Sequence, residues 1–380
     1  MIDKERLKQT FVELCEIESP SRKEGEVAWY ITKVFRDELG HEVVTDDSSQ
    51  ETGSETGNLV VRIEGTNGDT SAPLLFNAHM DTVGPTEGVK VLFKDGIFRT
   101  DGTTILGGDD KAAIAILMEV ARCLKEQGGQ LLPPLEFLFT VCEEIGLLGA
   151  KALDASILRA RAGYALDTTG TFNLINRAPC AIRFSVKVHG KSAHAGIAPE
   201  KGINAISLAA RAISKVPLGR IDPETTANIG IIRGGKATNI VPDLVEIEGE
   251  VRSHSEDRLK KVQDQVLAPF HQLQWDFDPK GEGPVVQVDV IDDYPVLNVP
   301  EDHRLVTTAR EAAASMGKEL KVETTGGGSD ANILCGKGIE TVILGIGMEN
   351  VHTTDEHIAL SDMVECARFI LEIISKWGLR

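Results

Sequence analysis

Short apolar runs that end in acidic or imidazole side chains recur along this chain of 380 residues. The side chains concerned are His79, Asp81, Asp109, Glu143, Glu144, Asp167 and His352. Any one of them alone is more often a cap or a surface group. The carboxyl ends of strands in an open α/β sheet meet at one edge, where ligands bind. Together the set supplies about three to four N or O ligands for each of two divalent metal ions, which indicates a two-metal hydrolase.

The local sequence around these residues indicates different roles. Residues two apart in a strand point to the same side, so His79 can bind a metal while Asp81 orients its imidazole ring. Asp109 comes just before an apolar segment, 112–118, that predicts a buried helix, and a carboxylate there can bridge two cations. Glu143 and Glu144 are adjacent, so their side chains point in different directions. One of them can bind metal while the other carries a proton.

Length and pattern predict two domains, because a single core rarely exceeds about 250–300 residues. In residues 1–177, strands (58–64, 74–78, 135–141) alternate with helices (111–127, 150–158), which favours a mostly parallel mixed sheet covered by helices. Residues 178–293 read as strand, helix, strand, strand, helix, strand, with the last strand at 285–291, which is typical of a ferredoxin-like α+β domain. The metal-binding candidates lie outside this segment. We therefore expect 1–177 and 294–380 to form one discontinuous α/β catalytic domain that carries 178–293 as an inserted lid.

Composition excludes several classes of partner. The net charge of −18 and the pI of about 5.0 disfavour binding to nucleic acid or to an anionic membrane surface, because both require basic patches. No stretch approaches the roughly 20 apolar residues of a membrane span. The 6 cysteines are scattered without close pairing, which is typical of reduced thiols. We expect a cytoplasmic protein.

The motifs His79-Met80-Asp81, 108–111, 143–146, Asp167 and the late His352 resemble the M20 family of dinuclear zinc peptidases. The segments 108–112 and 326–330, and Asp at 167, are most similar to the peptidase T-like branch. The resemblance implies that Asp109 bridges two divalent ions, most simply Zn²⁺, with Co²⁺ or Mn²⁺ as alternatives. His79 and Asp167 would complete one metal site, and Glu144 and His352 the other. Glu143 would be the general base, Asp81 would support His79, and the Asp109–Asp110 peptide would be cis.

The same resemblance points to substrate-binding residues in the lid. His194 matches a histidine that reaches the substrate or its oxyanion, from the partner subunit in dimeric members. Asn239 and Arg252 match binders of the substrate carboxylate, and a guanidinium fork suits a free C-terminus. Asn239 could instead hold a turn, and Arg252 a surface ion pair. The glycines of 326–328 lack a following Gly-Lys-Ser/Thr and so are not a phosphate loop; we expect Gly328 to let backbone approach the substrate.

The resemblance implies an aminopeptidase that acts on short peptides, a tripeptidase or dipeptidase, and a homodimer formed through the lid. An N-acyl amino acid deacylase or a carboxypeptidase is the alternative within the family. Aspartate rather than glutamate at 167 resembles the aminopeptidases. A non-catalytic metal-binding scaffold is the alternative from another class, although every expected catalytic position is filled.

Overall fold

The computed structural model describes residues 1–66, 72–127, 132–277 and 286–378, with only the backbone for 274–277. The chain divides into two compact units. The first unit comprises Met1–Arg177, Leu297–Thr325 and Ser329–Arg380, and the inserted unit comprises Ala178–Val296 with Gly326–Gly328. The domain boundaries expected at 177/178 and 293/294 remain predictions.

The helices of the described residues are distributed over both units. They are α1 (Lys4–Cys15), α2 (Gly25–Thr32), α3 (Ser49–Thr52), α4 (Gly108–Gln127), α5 (Leu148–Ala152), α6 (Ala205–Ile213), α7 (Glu256–Phe277), α8 (Arg304–Ser315), α9 (Asp330–Gly336) and α10 (Leu360–Gly378). A π-helical segment, Lys33–Glu38, continues α2, and short 3₁₀ turns occupy Ala155–Ile157 and Pro199–Lys201. Side-chain capping fixes the residue at which several helices begin. Asp3 accepts the backbone N–H of Glu5 and Arg6 at the start of α1.

The strands form one sheet in each unit. They are β1 (Glu42–Thr45), β2 (Leu59–Ile63), β3 (Leu74–His79), β4 (Leu92–Lys94), β5 (Ile97–Arg99), β6 (Leu135–Thr140), β7 (Ala162–Thr169), β8 (Thr171–Ala178), β9 (Cys180–His189), β10 (Gly219–Asp222), β11 (Thr225–Gly234), β12 (Leu244–Ser253), β13 (Val286–Tyr294), β14 (Leu297–Asn298), β15 (Lys321–Thr324), β16 (Glu340–Glu349) and β17 (His357–Ala359).

The sheet of the first unit runs β1-β2-β6-β3-β7-β16-β17-β5-β4; β8 also pairs with β16, and β14 and β15 pair with β8. Its centre, β6-β3-β7-β16, is parallel. Every residue of β3 and of β6 is buried, as expected for parallel strands covered on both faces. Phe76 stacks on Tyr164 and meets Phe137 edge-on across this centre. The parallel centre brings the carboxyl ends of four strands to one edge.

The sheet of the inserted unit is antiparallel in the order β10-β11-β12-β9-β13. Omitting the short β10, the order of the second, third, first and fourth strands is that of a ferredoxin-like fold. Helices α6 and α7 pack on one face through a core that includes Ile182, Val251, Leu208 and Phe270. The predicted fold class is confirmed in both units.

One detail differs from the sequence-based expectation, and another cannot be compared. The helix predicted for 150–158 is instead α5 followed by a 3₁₀ turn, because the side chain of Asp154 accepts the N–H of Ser156 and breaks the helix. Position 285 of the strand predicted for 285–291 lies outside the described residues. Within the described ranges, no helix is both long and apolar enough to cross a membrane.

Candidate active site

Five of the predicted site residues form two overlapping groups at the carboxyl edge of the parallel strands. His79, Asp109 and Asp167 form one group, and Asp109, Glu144 and His352 the other. In each group the potential ligand atoms lie within 4.8 Å of one another. His79 ends β3, Asp167 lies in β7 and Asp109 in the first turn of α4. The order of the strands thus gathers residues that are far apart in sequence.

Asp109 lies between two imidazole rings. Its Oδ1 is 3.0 Å from Nε2 of His79, and its Oδ2 is 3.2 Å from Nε2 of His352. Nε2 of His352 is also 3.1 Å from Oε1 of Glu144, yet this buried oxygen makes no aligned hydrogen bond to any described residue. Imidazole nitrogens and carboxylate oxygens around one shared carboxylate fit two divalent cations. The donor set therefore suits a dinuclear metal centre.

Protonation of the histidines reflects the same crowding of carboxylates. The nearby carboxylates, first Asp109 and then Glu144, raise the pKa of His352 to about 10. Burial opposes the charge on His79, but Asp109 and Asp81 outweigh it and hold the pKa of His79 well above its ordinary value.

The backbone at Asp109 departs from helical geometry. The Asp109–Asp110 peptide bond is cis, as predicted from the resemblance. Asp109 and Asp110 have non-helical φ/ψ values, and regular helix begins only after them. Asp110 turns inward, and its Oδ2 accepts the backbone N–H of His79 at 3.1 Å. Asp110 thus joins the start of α4 to the end of β3.

A tight turn presents Glu143 and Glu144. Cys142, just before them, is buried and has a left-handed φ of 54°, a backbone conformation that residues other than glycine rarely adopt. Its backbone N–H donates to Oε1 of the buried Glu24 at 3.0 Å. The next two amides both donate to Asp81, from Glu143 to Oδ1 at 2.9 Å and from Glu144 to Oδ2 at 3.2 Å. Two buried carboxylates therefore hold this turn.

Asp81 contacts His79 chiefly through its backbone. Nδ1 of His79 lies 2.8 Å from the carbonyl oxygen of Asp81 and 3.5 Å from its carboxylate Oδ1. The carboxylate of Asp81 instead accepts hydrogen bonds from the amides of the turn that carries Glu143 and Glu144. It also accepts one from Oγ of Ser21, which donates to Oδ2 at 2.6 Å. Because the carbonyl accepts the Nδ1 proton, Nε2 of the same ring is free to bind a cation.

Glu143 lies in a strongly anionic surrounding. Burial, reinforced by Asp167 and Asp330, raises its pKa well above the ordinary value. Asp330, the first residue of α9, is buried and accepts a hydrogen bond from Oγ1 of Thr140, and burial raises its pKa to about 6. A raised pKa allows the carboxylate of Glu143 to take up a proton, as a general base must.

The inserted unit holds the other predicted residues. His194 is exposed, and its Nδ1 accepts the N–H of Gly196 at 3.2 Å. Its backbone forms a bridge to Ile240, and the carbonyl of Asn239 accepts the N–H of Ala195 at 2.9 Å. Asn239 and His194 thus share one paired segment of the inserted unit.

Arg252 and Tyr294 lie on the face of the inserted sheet opposite the helices. Both pair with Ala181, whereas the next residues Ile182 and Val251 face the helical core. Arg252 donates to Oε2 of Glu250 at 2.9 Å and to the carbonyl of Gly326 at 3.2 Å. Its Nε and the hydroxyl of Tyr294 are buried and have no hydrogen-bond partner among the described residues.

Gly328 packs against the ring of Tyr294. A Cβ at position 328 would lie 2.5 Å from two ring atoms, so only glycine fits there without displacing the ring. The structure thus gives this glycine a packing partner, which the sequence analysis did not foresee.

Sequence reasoning missed three residues in or beside the site: Tyr294, Glu24 and Glu356. Both Glu24 and Glu356 are buried carboxylates that accept backbone N–H groups of the site, Glu24 that of Cys142 and Glu356 that of Asp109. No local pattern marks them, because the groups that they bind belong to distant segments. The sequence gives a weak indication for Tyr294, because this residue ends an alternating strand next to Pro295, where a strand meets a loop.

Known proteins resemble this chain over its whole length. The model of peptidase family M20/M25/M40 matches residues 75–376. The uncharacterized protein YqjE of Bacillus subtilis (strain 168) is 42% identical over 99% of both chains. The crystal structure of aminopeptidase PepT from Bacillus cereus ATCC 10987 is 40% identical, covers 100% of both chains and gives a TM-score of 0.88. A tripeptidase from Staphylococcus aureus subsp. aureus Mu50 is 37% identical over 100% of both chains, with a TM-score of 0.91.

These matches confirm the resemblance found in the motifs. The family model covers most of the first unit and all of the inserted one, and every residue of the two ligand groups lies within the matched range. The chain belongs to peptidase family M20/M25/M40.

Proposed function

We propose that this chain is a metal-dependent aminopeptidase that removes the N-terminal residue of short peptides. The observation that carries the proposal is Asp109, whose two carboxylate oxygens face two different histidines with Glu143 beside them. Similar chains of about 40% identity are named aminopeptidase PepT and tripeptidase, which favours short peptides as substrates.

The ligand roles follow the two observed groups. Asp109 would bridge two ions, His79 and Asp167 would complete one site, and Glu144 and His352 the other. Zn²⁺ suits this mixture of imidazole and carboxylate ligands, and Co²⁺ or Mn²⁺ can replace it. When bound, such ions lower the pKa of water and polarise a carbonyl group.

Glu143 is the proposed proton carrier. Its side chain is not needed by either ligand group, and its backbone is fixed by Asp81. Its raised pKa lets it accept a proton from the attacking water and return it to the leaving amine. Asp81 keeps the carboxylate in place while the proton moves, because it holds the turn by two amides.

Recognition of the substrate's terminal carboxylate is assigned to the inserted unit. Arg252 Nε and the Tyr294 hydroxyl are two buried donors without a partner among the described residues. A buried donor left unsatisfied costs about 1–3 kcal/mol, so a ligand that accepts from both is favoured. A carboxylate has two acceptor oxygens and the complementary charge. Asn239 and Gly328 are proposed to contribute to binding from the neighbouring loops.

A homodimer is proposed to form through β11. β10 pairs only with residues 225–227 of β11, so among the described strands none continues along the outer edge of 228–234. Ile231 and Ile232 are exposed on this stretch. An unpaired edge with exposed apolar side chains invites pairing with the same edge of a second copy. In such a dimer His194 would act on the partner's substrate.

Two alternatives remain distinct from this proposal. A deacylase or carboxypeptidase would cleave an amide beside a carboxylate with no need for a free amine, and a scaffold would cleave nothing. The test is a Zn²⁺-loaded sample assayed against Ala-Ala-Ala, Ala-Ala, N-acetyl-alanine and N-acetyl-Ala-Ala-Ala. We expect turnover only of the peptides with a free amine, and its loss after chelation. Turnover of the acetylated substrates at comparable rates would replace the aminopeptidase by a deacylase.

A further inference from the structure

A buried carboxylate accepts several hydrogen bonds from the loop that carries Asp109. Glu356 is 2% exposed and accepts three backbone N–H groups. Its Oε2 accepts from Leu106 at 3.0 Å and from Gly107 at 2.8 Å. Its Oε1 accepts from Asp109 at 2.8 Å. Both oxygens are therefore committed to one short loop.

The loop is built around this carboxylate. A Cβ at Gly108 would lie 3.1 Å from Oε1 of Glu356, so the glycine allows the close approach. Gly107 has a φ of 73°, which turns successive amides toward the same point. Three backbone amides that donate to one carboxylate favour its charged form. These hydrogen bonds oppose the burial that raises the pKa of Glu356 to about 7, and they fix its carboxyl group within the loop.

Glu356 also belongs to the segment that carries a second ligand. It follows His352 by four positions, and Asp109 and His352 share one ligand group. His352 has a left-handed φ of 62°, which ties its orientation to the turn between β16 and β17. One carboxylate therefore fastens the Asp109 loop to the His352 turn across 247 positions of sequence.

We propose that Glu356 is a positioning residue that sets the place of the bridging carboxylate of Asp109 relative to His352. It binds no metal and touches no substrate; it acts through the amides of Leu106, Gly107 and Asp109. This inference rests on the proposed metal centre. Because Asp109 is shared by both groups, disturbing its loop weakens both metal sites.

The test replaces Glu356 by glutamine. Glu356→Gln keeps the shape but has one acceptor oxygen, and its amide N–H₂ would face a backbone N–H. At least one loop amide loses its acceptor. Partners behind metal ligands typically change metal affinity by about 10–100-fold. We expect the affinity of chelator-stripped protein for Zn²⁺ to fall by this factor at both sites.

The matched control is Glu136→Gln. Glu136 is also fully buried and accepts the backbone N–H groups of Arg159 and Ala160, but it belongs to neither ligand group. Zn²⁺ affinity is measured by competition with a chromophoric chelator, and Co²⁺ absorption in the visible range reports the ligand geometry. We expect the Glu136 variant to bind two ions as the wild type does, and only the Glu356 variant to show a changed Co²⁺ spectrum.

Two Zn²⁺ ions bound by Glu356→Gln with wild-type affinity and an unchanged Co²⁺ spectrum would overturn the positioning role. An equal loss in the Glu136 control would do so too. If Glu356→Gln does not fold, Glu356→Asp, which keeps the charge but shortens the reach, is put through the same comparison and judged by the same two outcomes. A wild-type protein that binds no metal would overturn the metal centre itself, which the wild-type titration alone reveals.

Discussion

Oδ1 of Asp81 accepts the backbone N–H of Glu143 at 2.9 Å, while the carbonyl of Asp81 lies 2.8 Å from Nδ1 of His79. One residue thus orients a proposed metal ligand through its backbone and a proposed base through its side chain. The two tasks are separable, because a substitution of the carboxylate leaves the carbonyl in place. Asp81 can therefore be tested for its effect on the base without removing the contact to His79.

Asp81→Asn should lower kcat more than metal affinity. The asparagine N–H₂ would face one of the amides of Glu143 and Glu144, leaving a buried donor without an acceptor at about 1–3 kcal/mol. We expect kcat to fall about 10–100-fold while the protein still binds two Zn²⁺ ions. Steady-state kinetics and metal analysis of the same sample decide it. Loss of metal in parallel with kcat would assign Asp81 to the support of His79 instead.

The metal-binding candidates could be predicted from sequence because each lies where a strand ends or a helix begins. Parallel order at the centre of the sheet then brings them together without further information. His352 joins them because β16 is the strand next to β7.

The carboxylates that hold the site could not be predicted. Glu24 reaches the amide of Cys142 across 118 positions, and Glu356 reaches that of Asp109 across 247. These two amides are backbone groups, which carry no residue type to recognise. In the sequence, Glu356 stands between Asp355 and His357, and nothing distinguishes it from them. Only the tertiary fold shows which of these side chains points inward.

Glu143→Gln should abolish most turnover and keep the metals. Glutamine cannot take up a proton, and loss of a general base typically costs about 10²–10⁴-fold in rate. The amides of the turn still donate to Asp81, so the fold of the turn is retained. The measurement is kcat of a sample shown by metal analysis to hold two ions. Near-native turnover in that sample would remove Glu143 from the chemistry.

Tyr294→Phe should weaken binding of peptides with a free C-terminal carboxylate. The ring is kept against Gly328, and only the unpartnered hydroxyl is lost. A hydrogen bond to a charged group contributes about 1.5–3 kcal/mol, so KM for Ala-Ala-Ala should rise about tenfold or more. For the same peptide with an amidated C-terminus, the Tyr294→Phe variant should have the same KM as the wild type. Tyr30→Phe, whose hydroxyl binds Glu13, is the control. Equal effects on both substrates would exclude a carboxylate contact.

Ile232→Glu should separate the proposed dimer. Ile232 is 56% exposed on the stretch of β11 that has no outer neighbour among the described strands. Two copies pairing along this edge would bring two carboxylates into an apolar contact, which disfavours association. Ile291→Glu is the matched control, since Ile291 is 61% exposed on β13, the opposite edge of the same sheet. Sedimentation velocity should give a dimer for the wild type and for Ile291→Glu, and a monomer for Ile232→Glu. A wild type that sediments as a monomer would mean that His194 acts within its own chain, because no partner would then supply it.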